Sequence, residues 1–299
     1  MYRLAEIGPT VPPCDRLSDP QRRANLIFQI TIDAEGSQRS VAKNIRREPN
    51  LSKNWTVVEV AGHPCDVFVP PERSPQQHVL IYLHGVHEGR LSDHETFTSV
   101  FEHQGLVVVA PRTRRSWWTD KICPEFDSQV TAEQHLLTAI LPFIQNEFGV
   151  RPPQIGLFGT SMGGQGALRI AYKHPDTFPV VAAISPAIDF HQRLEEPEDG
   201  DPLLEMYEDP EHARQDTAIL YIHPLNWPRQ QFFCCDPTDR SWFDGADRLR
   251  MKLSSLGVPF EHDLETVAGG HGFDYYNQMA EPVVNFLVNG LNSEQLRVV

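Results

Sequence analysis

One serine in this chain stands where a nucleophile would. Ser161 is the centre of Gly159-Thr160-Ser161-Met162-Gly163, a G-x-S-x-G pattern. The pattern follows the apolar run Ile155 to Phe158 and precedes Gly164-Gln165-Gly166-Ala167-Leu168-Arg169-Ile170, which reads as a helix. A sharp turn between strand and helix lifts the hydroxyl above the end of the strand, and the small residues Gly159 and Gly163 keep the two elements from colliding. The helix N-terminus then faces the reacting oxygen, so the backbone N–H of Met162 is a candidate oxyanion donor.

A serine hydroxyl attacks a carbonyl only when a histidine takes its proton and a carboxylate orients that histidine. Both are expected later in the chain, each on a loop after a strand. His271 lies in Ala268-Gly269-Gly270-His271-Gly272-Phe273, between the extended stretch Phe260 to Val267 and the last helix. Glycines on either side give that loop the freedom to bring the imidazole to Ser161. His174, His191, His212, His223 and His262 lack such a placement. For the acid, Phe232-Phe233-Cys234-Cys235 runs into a segment with Asp236, Asp239 and Asp244. Asp239 is preferred, because Asp236 follows the strand so closely that it could brace the loop and Asp244 could cap the next helix.

A second oxyanion donor belongs on the loop after an early strand. Ile81-Tyr82-Leu83-His84-Gly85-Val86-His87 supplies it, with Gly85 permitting the turn that aims the Val86 N–H inward and His87 as the neighbouring candidate. His84, His87 and His94 are read as loop residues, and no metal is expected. A further loop, Arg112 to Asp120, carries Arg114, Trp117 and Trp118. These are candidate substrate-binding residues, the tryptophans as an apolar wall and the arginine as a partner for a carboxylate or phosphate. The expectation for the tryptophans assumes that two adjacent rings on one loop are not both easily buried. The alternative for the arginines is pairing with acidic neighbours.

These loops need a scaffold of buried strands. The runs Val79 to Leu83, Leu106 to Ala110, Ile155 to Phe158, Val180 to Ile184 and Phe232 to Cys235 are short and continuously apolar, as in strands covered on both faces. Helical spacing recurs between them, most clearly at Leu136, Leu137, Ile140, Leu141 and Ile144, and after them at Val283, Val284, Phe286 and Leu287. The fold class is therefore α/β, a mostly parallel twisted sheet with helices on both faces. Val57 to Val60 and Asp66 to Val69, on either side of Gly62-His63-Pro64, predict an antiparallel N-terminal strand pair. Residues 1–50 are read as an extension with one possible extra edge strand at Leu26, Phe28, Ile30 and Ile32, and residues 51–299 as a single catalytic domain. An acidic insertion near residues 191–216, with ten acidic residues from Glu195 to Asp216, reads as solvated.

Composition narrows the function classes. Twenty-six Lys and Arg against 40 Asp and Glu give a net charge of −14, which disfavours nonspecific attraction to nucleic acid or anionic lipid. A 40% apolar content supplies a sizeable core, and no run approaches the ~20 apolar residues of a membrane span. The chain starts without an apolar secretory stretch, and its five scattered cysteines suggest neither a disulfide framework nor a zinc site, so a cytoplasmic location is expected.

Taken together, Gly159 to Gly164, Asp239 with the aromatics and Asp244-Gly245 after it, and Gly269-Gly270-His271-Gly272-Phe273-Asp274-Tyr275 resemble the esterase D-like branch of the α/β-hydrolases. That branch includes S-formylglutathione hydrolases, tributyrin esterases and mycolyltransferases, and the resemblance covers roughly residues 55 to 290. It implies an α/β-hydrolase fold, a triad of Ser161, Asp239 and His271, and an oxyanion hole of the Val86 and Met162 amides. Where S-formylglutathione hydrolases carry a Ser-Gly-Leu-Thr-Cys type segment, this chain has His84-Gly85-Val86-His87-Glu88, which counts against a glutathione thioester. The expected activity is a serine carboxylesterase acting on a small-molecule ester without a cofactor. The alternatives are a thioesterase or acyltransferase on the same residues, or a silent binding module.

Overall fold

The computed structural model describes residues 28–32, 38–42 and 54–297. The chain divides into two compact units, Met1–Lys43 and Asn44–Val299. In the first, β1 (Phe28–Ile32) pairs antiparallel with β2 (Gln38–Ala42), with Phe28 opposite Ala42 and Ile32 opposite Gln38. Phe28, Ile30 and Ile32 thus belong to a two-stranded sheet of their own rather than to an edge of the large one. Leu26 lies outside the described residues.

The second unit is built on an eight-stranded sheet in the order β10-β9-β8-β7-β5-β6-β4-β3. Its strands are β3 (Trp55–Val60), β4 (His63–Phe68), β5 (Val79–Leu83), β6 (Val107–Pro111), β7 (Ile155–Thr160), β8 (Val180–Ile184), β9 (Gln230–Cys234) and β10 (Glu261–Asp263). The four central strands β5 to β8 are buried at every position, which is why their sequences are continuous apolar runs. β4 pairs antiparallel with both β3 and β6, and every other pairing is parallel. This is the mostly parallel sheet with an antiparallel N-terminal pair that the sequence predicts.

Helices cover two separate cores, one on each sheet face. One core holds Ile81, Leu83, Leu157, Val181 and Phe233 beneath Leu136, Ile140, Ile144 and Leu168. The other holds Leu80, Tyr82, Phe158, Ala182 and Phe232 beneath Phe97, Phe101, Val283, Val284 and Leu287. Strand alternation makes the division, since successive side chains point to opposite faces. The helices that matter below are α1 (Glu95–Gln104), α2 (Ala132–His135), α3 (Leu141–Phe148), α4 (Met162–Lys173), α5 (Leu203–Met206), α6 (Pro210–Gln215), α7 (Phe243–Leu256), α8 (Phe273–Gln278) and α9 (Ala280–Gln295). A π-turn, Leu136–Ile140, joins α2 to α3, so the run of Leu and Ile read as one helix is one nearly continuous rod. Among the described residues no helix is long and apolar enough to cross a membrane.

The segment between β8 and β9 differs from the solvated insertion expected of it. Leu203, Tyr207 and Ala213 are buried, and so are two of its acids, Asp201 and Asp216. Asp216 accepts from Arg169 of α4 and from the hydroxyls of Tyr207 and Tyr221. Arg169, only 1% exposed, also pairs with Glu133 of α2. Burial alone would raise the Glu133 carboxyl, but His174, Arg169 and Lys173 outweigh it and hold the group down at about 2. The acids of this segment read as surface because composition does not show that an earlier helix carries an arginine to meet one of them.

Candidate active site

Sheet topology puts the expected loops side by side. β7 lies between β5 and β8, with Leu83 opposite Gly159 and Thr160 opposite Ile184. Cys234 pairs with both Ile184 and Asp263, so the loops after β5, β7, β9 and β10 all leave from one edge. In open α/β sheets this carboxyl edge is where ligands bind.

Ser161 makes the turn between β7 and α4 alone, at φ 54° and ψ −119°. That left-handed conformation is uncommon outside glycine and persists only where the surroundings hold it. Here the Ser161 N–H donates to the Ile184 carbonyl (2.9 Å) and the Ser161 carbonyl accepts from the Ala187 N–H (3.0 Å). A Cβ on Gly163 would run into the Leu83 carbonyl, so the close crossing of α4 over β5 requires glycine. Met162 opens α4, and its N–H therefore has no acceptor within that helix.

The loop after β5 lies against this elbow: a Cβ on Gly85 would sit 3.3 Å from Ser161 Cβ. His84 sets the loop. Its Nδ1–H donates to the Gly85 carbonyl (2.8 Å), its Nε2 accepts from the Thr113 N–H (3.0 Å), and its carbonyl accepts from Trp118 Nε1–H (3.1 Å). Burial pushes its pKa below the usual imidazole value, in keeping with a neutral ring whose two nitrogens have opposite roles. The loop is tied down again by buried Asp66 of β4, which accepts from Arg90 (2.8 Å) and Arg112 (2.7 Å). Val86 follows Gly85 and is half-buried. His94, by contrast, stacks flat on Phe273, with ring centroids 3.5 Å apart.

His271 joins the other two expected residues. Its Nε2 is 3.0 Å from Ser161 Oγ, and its Nδ1 is 2.7 Å from Asp239 Oδ2. Asp239 is 2% exposed, and its Oδ1 accepts from the N–H groups of Ser241 and Trp242 at 3.1 and 3.2 Å. The His271 side chain keeps 31% of its surface open. Asp236 does not touch the imidazole. Its Oδ1 accepts from Thr238 N–H and Oγ1–H, both at 2.7 Å, and its Oδ2 accepts from the N–H groups of Ala268 (2.7 Å) and Gly270 (2.8 Å). It braces the loop that carries His271. Burial alone would raise its carboxyl, but these donors outweigh burial and lower it to about 2. Asp244 lies inside the first turn of α7, which Trp242 precedes, so it is not the residue that caps that helix.

The loop after β6 departs from expectation. Trp117 and Trp118 are 1% and 0% exposed, so adjacency did not keep either ring at the surface. Both residues adopt φ 54°, and the coiled loop buries both side chains. Trp118 packs against Gly166 of α4 and edge-on to His84, with ring centroids 5.2 Å apart. Trp117 stacks on Phe190 (4.9 Å) and lines a cavity of about 250 Å³ with Val86, His87, Arg115, Arg193, Glu198 and Asp201. Arg114 is not part of that lining; it is exposed and pairs with Glu88 at 3.3 Å. Arg115 pairs with Glu125 and donates to the Gly200 carbonyl, so ion pairing accounts for both arginines. A larger, shallower cleft of about 730 Å³ at the end of β10, lined by Phe243, His262 and Thr266 among others, holds none of the residues expected to do chemistry.

Sequence reasoning passed over Tyr276. It is 5% exposed in α8, and its hydroxyl lies 3.0 Å from His271 Nε2. The available signal was its position five residues after the histidine, across a glycine and at the start of a helix.

The family model described as "Putative esterase" matches residues 61–278 of the chain. The chain belongs to this esterase family. No curated protein sequence matches the esterase. Among solved structures it is similar to a ferulic acid esterase, with 17% identity, 88% of this chain and 98% of that one covered, and a TM-score of 0.61. An S-formylglutathione hydrolase from Agrobacterium tumefaciens is similar at 17% identity, with 89% and 100% covered and a TM-score of 0.61. A capsule O-acetyltransferase of Neisseria meningitidis serogroup A follows at 14% identity, with 83% and 98% covered and a TM-score of 0.58. At such identities the likeness is one of fold. The esterase thus has the α/β-hydrolase fold.

Proposed function

We propose that this esterase hydrolyses carboxylic esters of small molecules through an acyl-enzyme on Ser161. The observation that supports it is the His271 ring, hydrogen-bonded to Ser161 Oγ through one nitrogen and to Asp239 through the other. As the serine oxygen attacks the ester carbonyl, His271 Nε2 takes its proton, and Asp239 holds the Nδ1–H tautomer and stabilises the imidazolium. The carbonyl oxygen, now negative, is met by the Val86 and Met162 N–H groups. Collapse expels the alcohol with the proton from Nε2. Water then repeats the sequence: it adds to the acyl carbon, its proton passes through Nε2 to Ser161 Oγ, and the acid leaves. The His271 side chain, with 31% of its surface open, is within reach of the water this second half requires. Val86 and Trp117 offer an apolar wall for one arm of the ester. Nothing in this sequence of steps calls for a cofactor.

The test is Ser161→Ala. The variant is expected to fold normally and to lose p-nitrophenyl acetate turnover by about three orders of magnitude or more. A fluorophosphonate is expected to label Ser161 in the wild type and nothing in the variant. Turnover within tenfold of the wild type would refute the assignment.

A further inference from the structure

Two hydroxyls converge on one imidazole nitrogen. Ser161 Oγ and Tyr276 Oη each lie 3.0 Å from His271 Nε2, and the Tyr276 hydroxyl also interacts with the Ser161 side chain. With Nδ1–H given to Asp239, Nε2 has a single lone pair, so it can fully satisfy only one donor at a time. The Tyr276 ring is fixed, edge-on to His271 (5.7 Å between centroids) and to Phe273 (5.1 Å). Burial pushes its phenol well above the usual tyrosine range, so the group keeps its proton and remains a donor.

We propose that Tyr276 is a catalytic residue whose hydroxyl donates to the departing alkoxy oxygen of the ester while His271 transfers its proton there. This rests on the acyl-enzyme reading above. Once Nε2 has taken the Ser161 proton it has no lone pair left, and Tyr276 loses its resting acceptor. At that moment the alkoxy oxygen begins to gain charge, and it must lie about 3 Å from Nε2 to receive the proton. An oxygen placed there, beside Ser161, is the nearest new acceptor for the tyrosine. The carbon–alkoxy bond breaks, its electron pair stays on that oxygen, and the proton on Nε2 completes the alcohol. Tyr276 keeps its own proton throughout, so the step balances without another reactant. The Val86 and Met162 amides serve the carbonyl oxygen, whereas Tyr276 serves the ether oxygen.

The experiment compares kcat/KM, which reports acylation, for ethyl acetate and p-nitrophenyl acetate in the wild type and in Tyr276→Phe. Ethoxide is a poor leaving group that needs both proton and donor, whereas p-nitrophenolate needs neither. The variant is expected to lose about tenfold to hundredfold on the ethyl ester, the range of a hydrogen bond to a charged group, and at least about tenfold less on the aryl ester. Equal losses on both esters would make Tyr276 a mere support for His271 and overturn the proposal, as would no loss on either. Should the variant fail to fold, 3,5-difluorotyrosine at position 276 keeps the ring and sharpens the donor. It is expected to shift the ratio toward the ethyl ester, and an unmoved ratio would overturn the proposal. Wild-type turnover abolished by Ser161→Ala tests the underlying esterase reading separately; its absence would overturn both.

Discussion

Two aspartates three residues apart divide the work of the β9 loop, and their amide variants should fail in different ways. Asp236 accepts four hydrogen bonds at 2.7 to 2.8 Å, two of them from Ala268 and Gly270 in the loop that carries His271. An asparagine keeps one acceptor oxygen and turns an NH₂ toward the other pair of donors. Losing two hydrogen bonds to a charged group costs about 3–6 kcal/mol. The carboxyl offers a second figure: held at about 2 against an ordinary 3.8, it contributes roughly 2 kcal/mol of stability when ionised. Because the folded pKa is the depressed one, that contribution is complete above about pH 4 and fades as pH falls toward 2. Asp236→Asn should therefore lose about 2–4 kcal/mol, lowering Tm by roughly 5–15 °C in a domain of this size. The loss should be constant from pH 5 to 8. Asp239→Asn should melt closer to the wild type but lose kcat by about 10⁴, since the amide no longer fixes the tautomer or stabilises the imidazolium. Calorimetry with esterase kinetics below Tm, normalised by fluorophosphonate titration of active sites, separates the two. An Asp236→Asn enzyme with unchanged Tm and a kcat as low as that of Asp239→Asn would refute this division of roles.

Two further outcomes follow from buried side chains. His135 is 2% exposed with no hydrogen-bond partner for Nε2, and burial, aided by the charge of nearby His63, lowers its pKa from 6.5 to about 4. The unfolded chain binds this proton first, so stability should fall by up to roughly 3 kcal/mol as pH drops from 6.5 to 4. Urea midpoints at pH 7 and 5 should show that slope flattened in His135→Phe; an unchanged slope would contradict it. Trp118→Ala should lose about 3–5 kcal/mol by urea unfolding, as a buried aromatic does, whereas Trp117→Ala should raise KM for bulky esters more than for acetates. Equal KM effects across an ester series would return Trp117 to a purely packing role.

What the sequence made legible is the chemistry that backbone geometry dictates. The elbow needs glycines where strand and helix cross, so Ser161 was visible, and the glycine-rich loop after the last strand exposed His271 in the same way. Parallel strands require continuous apolar runs, so the central sheet was visible too. The misreadings involve partners far apart in sequence. Asp216 looked solvated because its counter-ion, Arg169, lies 47 residues earlier in another element. The two tryptophans looked exposed because local adjacency says nothing of a loop that coils through left-handed positions. Tyr276 carried no motif, only a place five residues past the histidine in the helix that follows it.

The ion cluster around Arg169 bears on how this scaffold could be altered. Residues 191–216 look like a detachable variable loop, the natural place to graft a new substrate cover. Yet that segment ends in the carboxylate that neutralises an arginine in the helix springing from Ser161, and Tyr207 within it donates to the same carboxylate. A graft that omits Asp216 strands a buried guanidinium, still partnered by Glu133, on the nucleophile's own helix. Recombination at this position is therefore a choice of matched pairs: the cover can be exchanged between Glu195 and Asp199, where every residue is exposed, but a replacement reaching Asp216 must bring its own acid or arrive with an apolar residue in place of Arg169.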